Sequence, residues 1–396
     1  MSTVLTWSAL FLASVGLFLS SWIGITAPNM ALYPLSVAAP EVSPWLLGLN
    51  AIAGLLALAV RPGWQKWLAL ACGSLGLLIS ALPLAQLPAT VQRSTATLEA
   101  TLGTDYIQPI SPQLQNQWRS QPFSLVDVFR GIPLRPVRVT AAIPFAAPAS
   151  VPLTLNVYRP LQSGLYPTVV MVHGGAWRSG SPNDHESFNR YLAAQGYTVV
   201  AVSYRLAPTY RFPAQLEDVQ TALQFIRQHA TEYDIDVNRL VIMGRSAGAQ
   251  LAKLVAYQPD APPVRAVVSY YGPVNLERGY YDLPNPDPID AQTVLQDFIG
   301  GPPPDFPTQY QQASPWNAVR PNLPPTLLIY GDRDHVVQSK FGRQLAERLR
   351  SQQNLALFIA IPWAEHAFDA VFPGVSNQLA LYYTERFIAW ATRPQP

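Results

Sequence analysis

The first ninety residues and the rest of the chain follow two different hydrophobic patterns. Residues 5–25 form an uncharged, mostly apolar run, and two more follow at 45–60 and about 67–82. None shows the polar stripe of a surface helix, which alternates polar and apolar faces. About 20 apolar residues at 1.5 Å rise span a bilayer, so the first run predicts a spanning helix. Trp7 and Trp22 stand near its ends, where amphipathic rings favour the headgroup level. The second and third runs reach spanning length only with flanking residues, and the six residues 61–66 between them permit only a tight helical hairpin. Pro83 and Pro88 are expected to end the third run. No basic residue precedes the first run and no clear Ala-x-Ala site follows it, which favours an anchor over a cleaved export signal.

Beyond residue 136 the pattern changes to short β-branched runs alternating with amphipathic helices. Strands are predicted at 137–143, 153–158, 168–172, 198–202, 240–243, 264–269, 326–330 and 355–361, the first two as an antiparallel pair. Helices are predicted at 214–229, 250–257, 342–350 and 379–390. Such alternation predicts an α/β domain with a mostly parallel sheet covered by helices on both faces. Three regions are therefore expected: 1–92, a transmembrane helical region of about three spans; 93–135, a partly helical tether; and 136–396, the α/β domain. Within the tether, Ser111-Pro112 and Ser124 with Gly131 read as helix starts and a stop. The proline-rich stretch 275–315 is expected to form a cap or long loop over the site.

Composition sharpens this picture. Charged residues make up only 13% of the chain against 49% apolar ones, and the region before Arg93 carries only Glu41, Arg61 and Lys66. Both basic residues fall between the second and third runs. The positive-inside rule then puts 61–66 in the cytoplasm and the α/β domain outside it, as a multi-pass membrane protein. A net charge of +2 is too small for a nucleic-acid binder, and the single Cys72 excludes a disulfide framework. No spacing typical of a metal site occurs.

The chemistry lies at the strand ends. Gly244-Arg245-Ser246-Ala247-Gly248 follows a strand and enters a helix, the context in which Gly-x-Ser-x-Gly forms a nucleophile elbow. There the hydroxyl is lifted into solvent and the Ala247 N–H, at a helix N-terminus, can stabilise an oxyanion. Of five histidines, only His335 and His366 follow the serine. His335 directly adjoins the candidate acids, so His366, just past the last strand, is the expected base. Asp332 and Asp334 follow a strand, and Asp334 is the expected acid, with Asp332 holding the turn. Tyr270, Tyr271, Tyr280, Tyr281 and Trp316 are candidates to line an apolar acyl pocket, although such aromatics are more often core.

Five segments taken together, His173-Gly-Gly-Ala-Trp, Ser203-Tyr-Arg-Leu-Ala-Pro with Phe212-Pro-Ala, Gly244-Arg-Ser-Ala-Gly, Gly331-Asp-Arg-Asp and Glu365-His-Ala-Phe, resemble the α/β-hydrolase superfamily. Within it they are similar to the esterase/lipase branch that includes hormone-sensitive lipase and bacterial acetyl esterases. The resemblance covers about 136–392. It implies an α/β-hydrolase fold and a serine hydrolase cleaving small-molecule carboxylic esters without a cofactor. It leaves the membrane region unexplained, so the expectation of a membrane-anchored enzyme comes from the apolar runs alone. Ser246 would be the nucleophile, Asp334 the acid and His366 the base, with an oxyanion hole from the backbone N–H groups of Gly174, Gly175 and Ala247. Ala176 departs from the family, where many members carry a third glycine. Related activities, an arylformamidase or a prolyl-oligopeptidase-like peptidase, could use the same residues. A non-catalytic binding module would be expected to lose at least one of the three.

Overall fold

The computed structural model describes residues 3–394. Helix α1 (Thr3–Ser21), α3 (Ser43–Ala59) and the first half of α4 (Trp64–Leu102) pack against one another, and α2 (Tyr33–Glu41) meets α3 at an 83° bend. Two of these, α1 and α4, are long and apolar enough to cross a membrane, and the bent pair α2–α3 could make a third crossing. Where the three helices meet, Asn50 Nδ2 donates to Ser20 Oγ at 2.9 Å, and Ser20 Oγ lies 2.8 Å from Ser80 Oγ. These polar side chains are buried between the three helices and partner one another there.

The prolines do not stop α4. Pro83 and Pro88 both lie inside a single helix of 39 residues, about 58 Å long at 1.5 Å per residue. Each proline removes one backbone hydrogen bond, but Leu84, Leu87 and Val91 around them pack onto the core of the α/β domain. Burial of that face carries the helix past the expected end of the membrane region at residue 92. Thr95 Oγ1 then lies 2.9 Å from Tyr383 OH, and Leu98 is buried in the same core. The following segment holds two short helices, α5 (Pro112–Gln115) and α6 (Leu125–Arg130), capped by the side chains of Ser111 and Ser124.

The α/β domain runs β1 (Arg138–Ala146), β2 (Leu153–Arg159), β3 (Tyr166–Val172), α7 (Glu186–Ala194), β4 (Thr198–Val202), α8 (Ala214–Gln228), β5 (Ile235–Arg245), α9 (Ala247–Tyr257) and β6 (Ala266–Tyr270). The stretch 275–315 supplies α10 (Leu276–Tyr281), α11 (Ala291–Ile299) and α12 (Pro307–Gln312). The chain closes with β7 (Thr326–Gly331), α13 (Ser339–Ser351), β8 (Ala356–Ile361) and α14 (Val375–Ala391). The eight strands form one sheet in the order β1-β2-β4-β3-β5-β6-β7-β8. β2 is antiparallel to both its neighbours, and β4, β3, β5, β6, β7 and β8 are mutually parallel. β3 is followed by β4 on one side and flanked by β5 on the other. Strand order reverses there, and such a switch point opens a crevice beyond the carboxyl ends of the strands. In register Val172 pairs with Gly244, so the chain segments leaving β3 and β5 start side by side at that edge.

Candidate active site

Ser246 sits between β5 and α9 with φ +50° and ψ −122°, a conformation disfavoured for a residue with a side chain and held only because its surroundings fix it. The flanking glycines explain how the turn can be so tight. A methyl group on Gly248 would lie 2.2 Å from Val172 O, and one on Gly244 would lie 2.2 Å from Gly248 O. The turn points Ser246 at the crevice and sets its hydroxyl at the N-terminus of the eleven-residue α9.

His366 lies beyond β8, and Asp334 in the turn after β7. His366 Nε2 is 2.9 Å from Ser246 Oγ, and His366 Nδ1 is 2.7 Å from Asp334 Oδ2. The three residues named from the sequence are therefore joined in one hydrogen-bonded line, with Asp334 and His366 buried. Asp334 also accepts from the N–H groups of Val336 (2.8 Å) and Val337 (2.6 Å), which fix its carboxylate. Burial raises its pKa above the ordinary aspartate range, and His366 and the Val337 N–H pull against that rise. Asp332 is not part of this line: its carboxylate takes a hydrogen bond from Ser339 Oγ at 2.8 Å.

Gly174, Gly175 and Ala247 all border the space around Ser246. A methyl on Gly174 would lie 3.4 Å from Ser246 Cβ, so this backbone passes directly beside the serine. Gly175 has φ +104°, and Ala176 and Trp177 hold φ +54° and +58° in the same turn. Ala176 thus occupies a left-handed position that glycine would take more cheaply. His173 is buried, stacks on Tyr204 at 4.2 Å, and its carbonyl accepts from Tyr204 OH at 3.0 Å. It braces the loop and does not reach Ser246.

Two cavities meet at Ser246. One is lined by apolar side chains including Val274, Leu276, Ile289, Val294, Leu295 and Phe341. The other is bordered by His366, Tyr271, Arg178, Ser179, Asp184 and His185, together with Met30 and Tyr33. None of the five aromatic candidates lines the apolar cavity. Tyr271 borders the other one, while the Tyr270 and Tyr280 rings are buried. Trp177 takes the place in the apolar wall, stacked on Phe298 at 4.1 Å. The proline-rich stretch is helical, since Asn275 and Asp290 cap α10 and α11 with their side chains.

Sequence reasoning missed the buried pair that braces this centre. Arg245, beside the serine, forms an ion pair with Asp369, which also accepts from Tyr271 OH. Burial opposes the ionised form of Asp369, but Arg245 overcomes it and holds the carboxyl below its usual range. His185 Nδ1 lies 3.6 Å from the same carboxylate, and burial with the nearby Arg245 pushes its pKa down to about 4. The signal was a charged residue inside Gly-x-Ser-x-Gly, which needs a buried partner. Among the described residues no group of three or more His, Cys, Asp or Glu side chains is disposed to hold a metal ion.

A family model described as BD-FAE matches residues 155–349. The esterase LipC of Mycobacterium tuberculosis is 32% identical over 219 residues, covering 51% of this chain and 53% of the relative. An acetyl esterase of Salmonella paratyphi B is 26% identical over 235 residues, covering 54% of this chain and 69% of that protein. The chain spans about half the length of the first curated relatives it matches. Among solved structures, the hyperthermophilic esterase of the archaeon Pyrobaculum calidifontis superposes with a TM-score of 0.56 at 26% identity, covering 71% of this chain and 98% of that one. The α/β domain accordingly has the fold of the α/β-hydrolase esterases.

Proposed function

We propose that this chain is a membrane-anchored serine hydrolase that cleaves carboxylic esters through an acyl-enzyme. The observation that carries the reading is the 2.9 Å approach of His366 Nε2 to Ser246 Oγ at the junction of the two cavities. In this account Ser246 Oγ attacks the ester carbonyl as its proton passes to His366 Nε2. Asp334 holds the imidazole in orientation and stabilises its cation. The carbonyl oxygen becomes an oxyanion between the N–H groups of Gly174, Gly175 and Ala247, each such donor contributing about 3–4 kcal/mol in the transition state. Collapse of the tetrahedral species expels the alcohol, which takes the proton from His366. Water, deprotonated by the same histidine, then releases the acid and restores Ser246.

The named esterases among the relatives support the ester over a formamide or peptide bond. The test is a panel of p-nitrophenyl esters from acetate to laurate, run beside an arylformamide and a proline-containing peptide. The expected result is ester turnover at least about a hundredfold above either amide, a margin of about 2.7 kcal/mol in transition-state energy. Faster turnover of the formamide would replace the esterase reading.

The same proposal places the α/β domain outside the cytoplasm, behind three crossings by α1, α3 and α4. Its support is the pair Arg61 and Lys66 in the turn between α3 and α4. A cysteine introduced at Gly63 should resist an impermeant thiol reagent in intact cells, while one at the exposed Ser163 should react. The opposite pattern inverts the topology.

A further inference from the structure

The two dipeptides that supply the proposed acid and base, Asp334-His335 and Glu365-His366, pair crosswise. Asp334 meets His366, and Glu365 meets His335, with Glu365 Oε2 2.9 Å from His335 Nδ1. The second pair faces the N-terminal region. His335 Nε2 lies 3.1 Å from Thr26 Oγ1, and Tyr33 OH donates to Glu365 Oε1 at 3.3 Å. Arg333 Nη2 adds a bond of 2.8 Å to Gly24 O. Glu365 Oε1 also accepts from His335 N at 2.7 Å, so one buried carboxylate ties both turns to the segment 24–33.

That segment is more than a strut. Met30 and Tyr33 border the cavity that contains His366, and neither borders the apolar cavity. The chemistry tells the two cavities apart. The departing alcohol must take its proton from His366 Nε2, so it lies on the His366 side. The acyl half then falls to the apolar cavity, where Ala247 stands and His366 does not. Met30, about half exposed, gives the alcohol side an apolar edge beside the buried Tyr33. The same cavity is also bordered by the polar Ser179 and Asp184.

We propose that Met30 and Tyr33, contributed by the membrane region, determine which alcohol half the cleft accepts, and that the favoured substrate is an ester of an amphiphilic alcohol presented at the bilayer surface. Glu365 acts as a positioning residue that fixes this wall relative to His366. The inference rests on the ester-hydrolase reading and deepens it.

Two ester series in detergent micelles test it on the full chain: butyrates of ethanol, hexanol and dodecanol, and ethyl esters from butyrate to laurate. Met30→Glu should lower kcat/KM for dodecyl butyrate at least about tenfold relative to ethyl butyrate, within the discrimination that pocket contacts provide. Its acyl-length preference should stay within about twofold of the wild type. Leu295→Trp, which fills the apolar cavity, should do the reverse. Thr26→Val, which loosens the wall, should raise KM for dodecyl butyrate severalfold while kcat changes less, the sign of lost ground-state binding. Equal effects of Met30→Glu on both series, or none on the alcohol series, would overturn the inference alone. A wild-type chain that cleaves neither series would overturn the hydrolase reading and this inference with it.

Discussion

The crossed pairs set two carboxylate–imidazole–hydroxyl lines side by side, and only one is proposed to do chemistry. Asp334, His366 and Ser246 are joined at 2.7 and 2.9 Å; Glu365, His335 and Thr26 are joined at 2.9 and 3.1 Å. Hydrogen-bond lengths barely distinguish them. What differs is the backbone around the hydroxyl. Ser246 sits at φ +50° at the start of α9, beside Gly174, with a cavity on each side. Thr26 lies past the end of α1, outside any helix N-terminus. An attacking oxygen there lacks the helix N-terminus that Ser246 has, and such oriented donors are usually the largest single source of rate. The carboxylates differ too. Asp334 takes two backbone N–H groups on one oxygen and aims the other at His366. Glu365 divides its bonds among His335, Tyr33 and the His366 N–H of its own turn, which suits a tie.

Removing each carboxylate should separate these roles. Asp334→Asn should lower kcat by roughly 10⁴-fold, the loss seen when a triad imidazole is left in the wrong tautomer. Glu365→Gln should cost only about tenfold in kcat/KM, or about 1.4 kcal/mol. Steady-state kinetics on p-nitrophenyl butyrate would read both. A larger loss for Glu365→Gln would mean that the line through His335 carries the reaction. The hydrogen bond that His335 donates to Glu365 raises that imidazole's pKa above its ordinary value, with burial opposing it. This favours a charged tie to the carboxylate over a neutral base.

How far the sequence could be read follows the same division. Ser246, His366 and Asp334 were legible because each sits in a turn directly after a strand, where local pattern announces both the element and the residue. The crossed partners were not. His335 stood out only as too close to the acids, and Glu365 only as a neighbour of the base, because nothing local reports that two turns 30 residues apart interlock. Met30 and Tyr33 were further out of reach, since their place depends on the segment after α1 folding back onto the α/β domain. Pro83 and Pro88 misled for a related reason. A proline's cost is local and visible, whereas the packing of Leu84, Leu87 and Val91 that outweighs it comes from residues far along the chain. The helices of 275–315 were not legible, because the prolines of that stretch hid the capping side chains of Asn275 and Asp290.

The central claim is that Ser246, and not the hydroxyl at the end of the parallel line, is the nucleophile. Treating the full chain with a fluorophosphonate and mapping the adduct by peptide mass spectrometry tests it directly. The account predicts a single adduct on Ser246, lost in Ser246→Ala and retained in Thr26→Val. An adduct on Thr26, or labelling that persists in Ser246→Ala, would contradict it.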